Sequence, residues 1–285
     1  MVGRTVRASF HAAYEEALGR WPVPVEAVDV PTPYGVTRVN SCGPAAAPPL
    51  VLLPGGGATS VVWGGCVGAG LARAWRVHAV DLVGEPGLSV PAPGRAVRTA
   101  GDLADWLGVL LDALAGGPVT LAGHSYGAWI AAHAATRLAA TRPGRLERLV
   151  LLDPTQVFAG LRPGYVLRAL PMLVRPTPGR IRSFLAWETG GGAPDPDPAW
   201  LRLQDETAAF PTVRPVTGPR PDLAGLGVPP VDVLLAGAAR CHDPGRVARA
   251  AREALPGARV EVLPGVPHHA LPLTAGAAIT RFLSG

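Results

Sequence analysis

The 285-residue sequence contains no lysine; all 26 of its basic residues are arginine. A formal net charge of +5 and an isoelectric point near 9.7 would ordinarily invite a nucleic-acid reading. The arginines are scattered, however, and form no stripe, so no basic phosphate-binding face and no nucleic-acid partner is expected. Cysteine is scarce as well. Cys42, Cys66 and Cys241 are odd in number and far apart. No C-x-x-C or Cys/His ligand spacing surrounds them, so no metal site is expected. Long apolar runs are also missing, which excludes a membrane-spanning helix. The first twenty residues carry His11, Glu15 and Glu16 and lack an apolar stretch. A secretory leader is therefore not expected, and the location predicted is cytoplasmic. What the chain does have is apolar mass. With 48% hydrophobic and 16% charged residues it can bury a sizeable core, and its length suits one large α/β domain or one domain carrying an insertion.

The most informative stretch is Gly123-His124-Ser125-Tyr126-Gly127. Before it stands Val119-Thr120-Leu121-Ala122, a short apolar run with β-branched residues. After it, Ala128 to Ala135 reads as a buried helix. Strand, G-x-S-x-G and helix together form the context of a nucleophile elbow. The turn is so tight that its flanks tolerate only very small side chains. It would hold Ser125 at the tip in a strained backbone region, hydroxyl exposed, at the start of a helix whose dipole favours negative charge. The bland alternative is a Gly-flanked serine in an ordinary strand-to-helix turn.

Around this motif, short apolar strands alternate with helices. Arg7–Leu18 has apolar residues at helical spacing and ends at Gly19. Val25–Val30 and Val36–Asn40 alternate as a hairpin turned by Pro33-Tyr34-Gly35. Leu50–Leu53 is a fully apolar strand followed at once by Pro54-Gly55-Gly56-Gly57. Trp63–Arg73 predicts a glycine-loosened helix, Arg76–Val80 a strand ending at Asp81, and Val97–Leu114 a helix closed by Gly116-Gly117. After the elbow the pattern gives a helix to Ala140 and the strand Leu149–Leu152, stopped by Asp153-Pro154. Strands at Val231–Ala236 and Ala258–Leu263 bracket a helix at Val247–Leu255, and a last helix runs from about Thr274 to Leu283. This alternation predicts a mostly parallel sheet covered on both faces. It stops between Thr155 and Asp222, a Pro-crowded, aromatic stretch with short helices expected near Tyr165–Leu170, Gly179–Glu188 and Pro198–Ala209 and a loop over Gly190–Pro196. Residues 155–222 read as a helical cap over the sheet's C-terminal edge, inserted into a core of 1–154 and 223–285. The alternative, a disordered linker, is hard to reconcile with its aromatic content.

Four landmarks resemble the α/β-hydrolase superfamily: Leu52–Gly57, Gly123–Gly127, Asp153, and Leu263-Pro264-Gly265-Val266-Pro267-His268. The segment Asp81–Ser89 also resembles a loop of subfamilies that carry a helical cap. The resemblance covers nearly the whole chain from Val25 on. It implies the chain order Ser, acid, His, with Ser125 as nucleophile and His268 as its base, His269 being the neighbouring alternative. It assigns the oxyanion hole to the backbone N–H groups of Gly56 and Tyr126. His124 would pack beneath the nucleophile, and His78 and His133, inside predicted elements, read as structural. The acid is ambiguous. The family usually places it in a Gly-x-x-Asp turn after the strand at 231–236, and here Gly237-Ala238-Ala239-Arg240 puts Arg240 in that position. Two candidates remain. Asp153, at a rigid strand end that is an alternative acid position in some branches, is the favoured one; Asp243 precedes Pro244 at a predicted helix start, where an N-cap already explains it.

The resemblance implies hydrolysis of an ester or thioester through an acyl-serine intermediate, with no cofactor and no metal. C–C bond and amide hydrolysis use the same triad, and Ser125 at the elbow speaks against a dehalogenase. A non-catalytic, ligand-binding member of the fold is the rival from another class, supported by the missing acid after residues 231–236. The Pro-rich, aromatic cap suggests a small-molecule substrate with an apolar or aromatic acyl group. Gly57, Phe184 and Trp187 are the residues expected to meet it.

Overall fold

The computed structural model describes residues 2–190, 197–210, 215–224, 226 and 229–285, with residues 2–6 taken as backbone only. In chain order the elements are α1 (Val2–Leu18), β1 (Glu26–Thr32), β2 (Gly35–Cys42), β3 (Pro49–Leu53), a 3-10 turn at Ser60–Trp63, α2 (Gly64–Gly68), α3 (Leu71–Ala74), β4 (Arg76–Val80), β5 (Val90–Pro91), α4 (Ala100–Leu114), β6 (Val119–His124), α5 (Tyr126–Thr141) and β7 (Leu146–Leu152). Three helices follow, α6 (Pro163–Val174), α7 (Pro178–Glu188) and α8 (Pro198–Thr207). The chain then returns through β8 (Val231–Ala236), α9 (Pro244–Ala254), β9 (Arg259–Leu263), α10 (Leu271–Thr274) and α11 (Gly276–Ser284).

The strands form one sheet in the order β1-β2-β4-β3-β6-β7-β8-β9, with β5 pairing β2 at the edge. β1, β2 and β4 pair antiparallel, and every pairing from β4 through β3 to β9 is parallel. Alternation along each strand sorts the core into two layers. Val51, Leu53, Leu121, Leu149, Leu151, Val233 and Leu235 face the layer made with α4, α5 and α9. Leu50, Leu52, Ala122, Val150, Leu152 and Leu234 face the opposite layer, with Phe10 and Tyr14 of α1, Leu71 of α3 and Ile279 of α11. The central strands are apolar on both faces because both faces are covered.

Three elements differ from the sequence pattern for local reasons. The single helix expected over Trp63–Arg73 is broken into a 3-10 turn and two short helices, with Gly70 at φ +93° between the two helices. The loosening lets α2 pack tightly, since a Cβ on Gly276 of α11 would sit 2.2 Å from the Gly65 carbonyl oxygen. The helix expected from Val97 begins at Ala100, because Thr99 and Asp102 form a capping box that fixes its start. The last helix is split at Ala275 into α10 and α11. The predicted loop Gly190–Pro196 lies outside the described residues beyond Gly190.

Consecutive strands β3 and β4 are neighbours, and the chain then crosses to the other side of β3 with β6. The reversal creates a crevice at the C-terminal ends of β3 and β6, where ligands bind in open parallel sheets. A buried polar network shapes one wall of it. Asp81, at the end of β4, accepts from Tyr14 Oη (2.9 Å) and from the backbone N–H groups of Ser60 (2.8 Å) and Leu88 (2.7 Å). It thereby pins the segment after Gly57 to α1 and to the β4 loop. No helix among the described residues is long and apolar enough to cross a membrane.

Candidate active site

Ser125 occupies the turn between β6 and α5 at φ 53°, ψ −112°, a strained conformation for a residue with a side chain. The two flanking glycines are required by space. A Cβ on Gly123 would lie 2.4 Å from the Gly127 carbonyl oxygen, and one on Gly127 would lie 2.4 Å from the Pro54 carbonyl oxygen. Ser125 N–H is anchored to the Leu152 carbonyl (3.0 Å), so the tip is tied to the end of the neighbouring strand β7.

Adjacent strand ends bring the other groups to it. Asp153, directly after β7, is fully buried, with φ 42° and its N–H bonded to Leu234 O at 2.7 Å. His268 comes from the loop after β9. Its Nε2 lies 2.9 Å from Ser125 Oγ and its Nδ1 2.5 Å from Asp153 Oδ2. Asp153 Oδ1 accepts from Ala236 N–H at 3.0 Å. Burial alone would raise the Asp153 carboxyl, but His242 and His268 hold it well below the usual carboxylate range. Burial opposes a charged His268, while Cys241 and the Asp153 carboxylate raise it above the ordinary histidine value. A hydroxyl, imidazole and carboxylate in line, with the hydroxyl half-buried and the rest dry, can move a proton off the serine oxygen and hold the resulting imidazolium.

The remaining expected residues fall as follows. Asp243 is exposed and caps α9 by accepting from Arg246 N–H (2.9 Å); it faces Arg162, not His268. Arg240 stacks its guanidinium 5.0 Å over the Trp187 ring. His269 is paired with Glu188 and does not reach Ser125 Oγ. His124 lies under the site, its ring 4.8 Å from that of His268 and its Nε2 3.1 Å from the His268 carbonyl. His78 bonds Ser41 (2.8 Å), with burial depressing its pKa to about 4, and His133 contacts Pro219 O at 3.2 Å. Gly56 lies against Tyr126, 3.6 Å from that residue's Cβ to a Cβ placed on the glycine. Among the described residues neither Gly56 N–H nor Tyr126 N–H finds a backbone acceptor in the turns and loops. Gly57, at φ +74°, donates its N–H to Glu85 (2.8 Å). Phe184 packs edge-on against His269 (5.5 Å) and forms an aromatic group with Tyr165 and Trp187.

Four neighbours carry no signal in the sequence. Glu188, at the end of α7, is buried and accepts from His268 N–H and His269 N–H, both at 3.1 Å, so α7 holds the loop that carries His268. Glu85 is buried beside Gly57, and desolvation pushes its pKa up to about 7. His242 and Cys241 follow β8 and close on Asp153 from the far side. Each is joined to the site by contacts between distant positions, which no local spacing reveals.

A cavity of about 670 Å³ lies next to this constellation but does not include Ser125. It runs between α7, α8 and the core, lined by Trp21, Trp200, Leu185 and Leu273, with His269 at the side nearer the triad.

The parallel sheet, the strained serine at the strand–helix turn and the order Ser, Asp, His define an α/β hydrolase. The chain belongs to the α/β hydrolase family, whose model matches residues 50–281. It is 33% identical over 182 residues to carboxylesterase YbfK of Bacillus subtilis, an alignment that covers 64% of this chain and 58% of that protein. The crystal structure of the same esterase, CesB (YbfK), superposes with a TM-score of 0.86 at 26% identity over 98% of both chains. The crystal structure of naproxen esterase from B. subtilis shares the fold, with a TM-score of 0.83 at 24% identity over 97% of each chain.

Proposed function

We propose that the protein hydrolyses carboxylic esters, thioesters included, through an acyl-serine intermediate. Ser125 is the nucleophile, His268 the base and later the acid, and Asp153 the carboxylate that fixes the imidazole tautomer. His268 Nε2 takes the proton as Ser125 Oγ attacks the substrate carbonyl. The developing oxyanion is met by Gly56 N–H and Tyr126 N–H, and the α5 dipole adds to their effect. His268 then protonates the leaving alcohol or thiol, and water repeats the sequence on the acyl-enzyme. The unbroken Ser125–His268–Asp153 chain, at 2.9 and 2.5 Å, is the observation that carries this reading. It also weighs against a non-catalytic member, since Asp153 lies 2.5 Å from His268 Nδ1, where a carboxylate after β8 would otherwise be needed. The similarity to a carboxylesterase supports the ester as the bond attacked.

Residues 155–222 act as a cap that selects the acyl group, with Phe184 and Trp187 as its aromatic contacts and Gly57 beside the carbonyl. Apolar or aromatic acyl groups fit this surface. The test is turnover of a p-nitrophenyl ester series, with matched thioesters, by wild type and by Ser125→Ala. Wild type should turn over at least the short activated members and Ser125→Ala should fall to the uncatalysed rate. A folded wild type inert toward every ester and thioester would contradict the proposal.

A further inference from the structure

Asp153, Cys241, His242 and His268 present one oxygen, one sulfur and two nitrogens that lie within 4.8 Å of one another, all four side chains buried. They arrive from three strand ends, after β7, β8 and β9. A carboxylate, a thiol and two imidazoles make a donor set suited to Zn²⁺, whose tetrahedral ligands sit about 3.3–3.8 Å apart, so shifts of about 1 Å would close the shell. The proposed triad accounts for Asp153 and His268; Cys241 and His242 touch it but belong to no proton-transfer step. His242 is the independent sign. It is 2% exposed; its Nε2 is paired with Asp153 Oδ1 at 3.0 Å, while its Nδ1 has no partner in hydrogen-bond geometry. A buried imidazole with an unmatched nitrogen is costly, and a cation bound between His242 and Asp153 would replace their ion pair with two ligand bonds.

We infer that this cluster is a binding site for a thiophilic divalent cation, Zn²⁺ being the reference case, and that occupancy switches the active site off. The binding stands on the cluster alone; the switching rests on the proposed triad. On binding, Cys241 releases its thiol proton to solvent and ligates as thiolate. His268 gives Nδ1 to the metal, and the proton it held there moves to Nε2. That nitrogen then faces Ser125 Oγ at 2.9 Å as a donor and can no longer accept the serine proton. Asp153 and His242 complete the shell. No electron changes hands, and removing the cation with return of the protons restores the base.

The experiment titrates EDTA-treated wild type and Ser125→Ala with Zn²⁺ by calorimetry and with Co²⁺ by absorbance. Both proteins should bind one cation per chain and show the thiolate-to-cobalt band of a Cys-ligated tetrahedral site. Cys241→Ser and His242→Gln should lose that band and bind Zn²⁺ at least about 100-fold more weakly, with unchanged circular dichroism. Zn²⁺ should inhibit wild type, EDTA should reverse it, and Cys241→Ser should resist Zn²⁺ relative to its own metal-free rate. Absence of the cobalt–thiolate band, or undiminished Zn²⁺ binding by Cys241→Ser, would overturn the site. Binding without inhibition in an active enzyme would overturn the switch. A protein that shows the band but cleaves no ester would support the site and sink the hydrolase proposal instead.

Discussion

Asp153 carries more of the site than any residue except Ser125. One carboxylate oxygen faces His268 and the other accepts from Ala236 N–H, so the group is fixed at both ends. Its positive φ is strain at a functional position, held by the Leu234 and Ala236 hydrogen bonds. Asp153→Asn should lower kcat by roughly three to four orders of magnitude with the fold intact, because Asn favours the wrong tautomer of His268. Asp243→Asn should keep most activity, since Asn caps α9 as well as Asp does. The converse pattern in steady-state rates would move the acid to the β8 loop. The base sets the pH profile. His268 must be neutral to act, and its raised pKa puts the acidic limb of kcat/KM above 6.5. Asp153→Asn should shift the limb left over in its residual activity downward; an inflection below 6.5 in wild type would contradict the pairing. Ser125 and His268 were legible because a glycine-bounded turn and a Gly/Pro loop after a strand are local patterns. The acid was legible only as a preference for Asp153, because Asp153-Pro154 and Asp243-Pro244 differ in sequence only by a strand end against a helix cap. Only the pairing of β7 with β6 and β8 brings the first of them to His268.

Among the elements, α7 is the one that, in the proposed mechanism, joins substrate selection to the placement of the base. Its Phe184 and Trp187 form the aromatic group, and its last residue, Glu188, holds the His268–His269 backbone. These roles separate by substitution. Phe184→Ala or Trp187→Ala should change which acyl chain is preferred while short activated esters are still cleaved. Glu188→Gln should lower kcat on every ester alike, by about 10- to 100-fold, because it leaves one backbone N–H poorly matched and loosens the base by a fraction of an ångström. Relative kcat/KM across an ester series distinguishes the two; a uniform loss from both aromatic substitutions would make the segment support only. The strands and long helices could be read from their periods. The break at Gly70 and the start at Thr99 could not be placed from periodicity, because packing of α2 on α11 and a capping box decided them. Glu188 was invisible because a glutamate ending an amphipathic helix ordinarily faces water.

At the scale of the whole molecule, buried carboxylates of opposite shift give stability a two-part pH dependence. Asp153 is depressed when folded, so its contribution is present above the usual value near 3.8 and lost as pH falls through that range. Glu85 is raised to about 7 from 4.5, so the folded protein holds an extra proton between those values and loses stability as pH rises across them. Buried His78, depressed to about 4, and His124 act oppositely as pH falls below 6.5. The Glu85 contribution is therefore read as a difference: the melting temperature of wild type should gain on that of Glu85→Gln as pH falls from 7 to 4.5. A wild-type minus Glu85→Gln difference that stays flat over that window would contradict the assignment. The proposed chemistry depends on one oxygen atom, Ser125 Oγ, held at the turn between β6 and α5 and facing a histidine 143 positions away. Treating the protein with a fluorophosphonate and locating the adduct by peptide mass spectrometry tests that claim most directly. A single adduct on Ser125, and none in Ser125→Ala, is expected; an adduct elsewhere, or labelling that survives the substitution, would rule out Ser125 as the nucleophile.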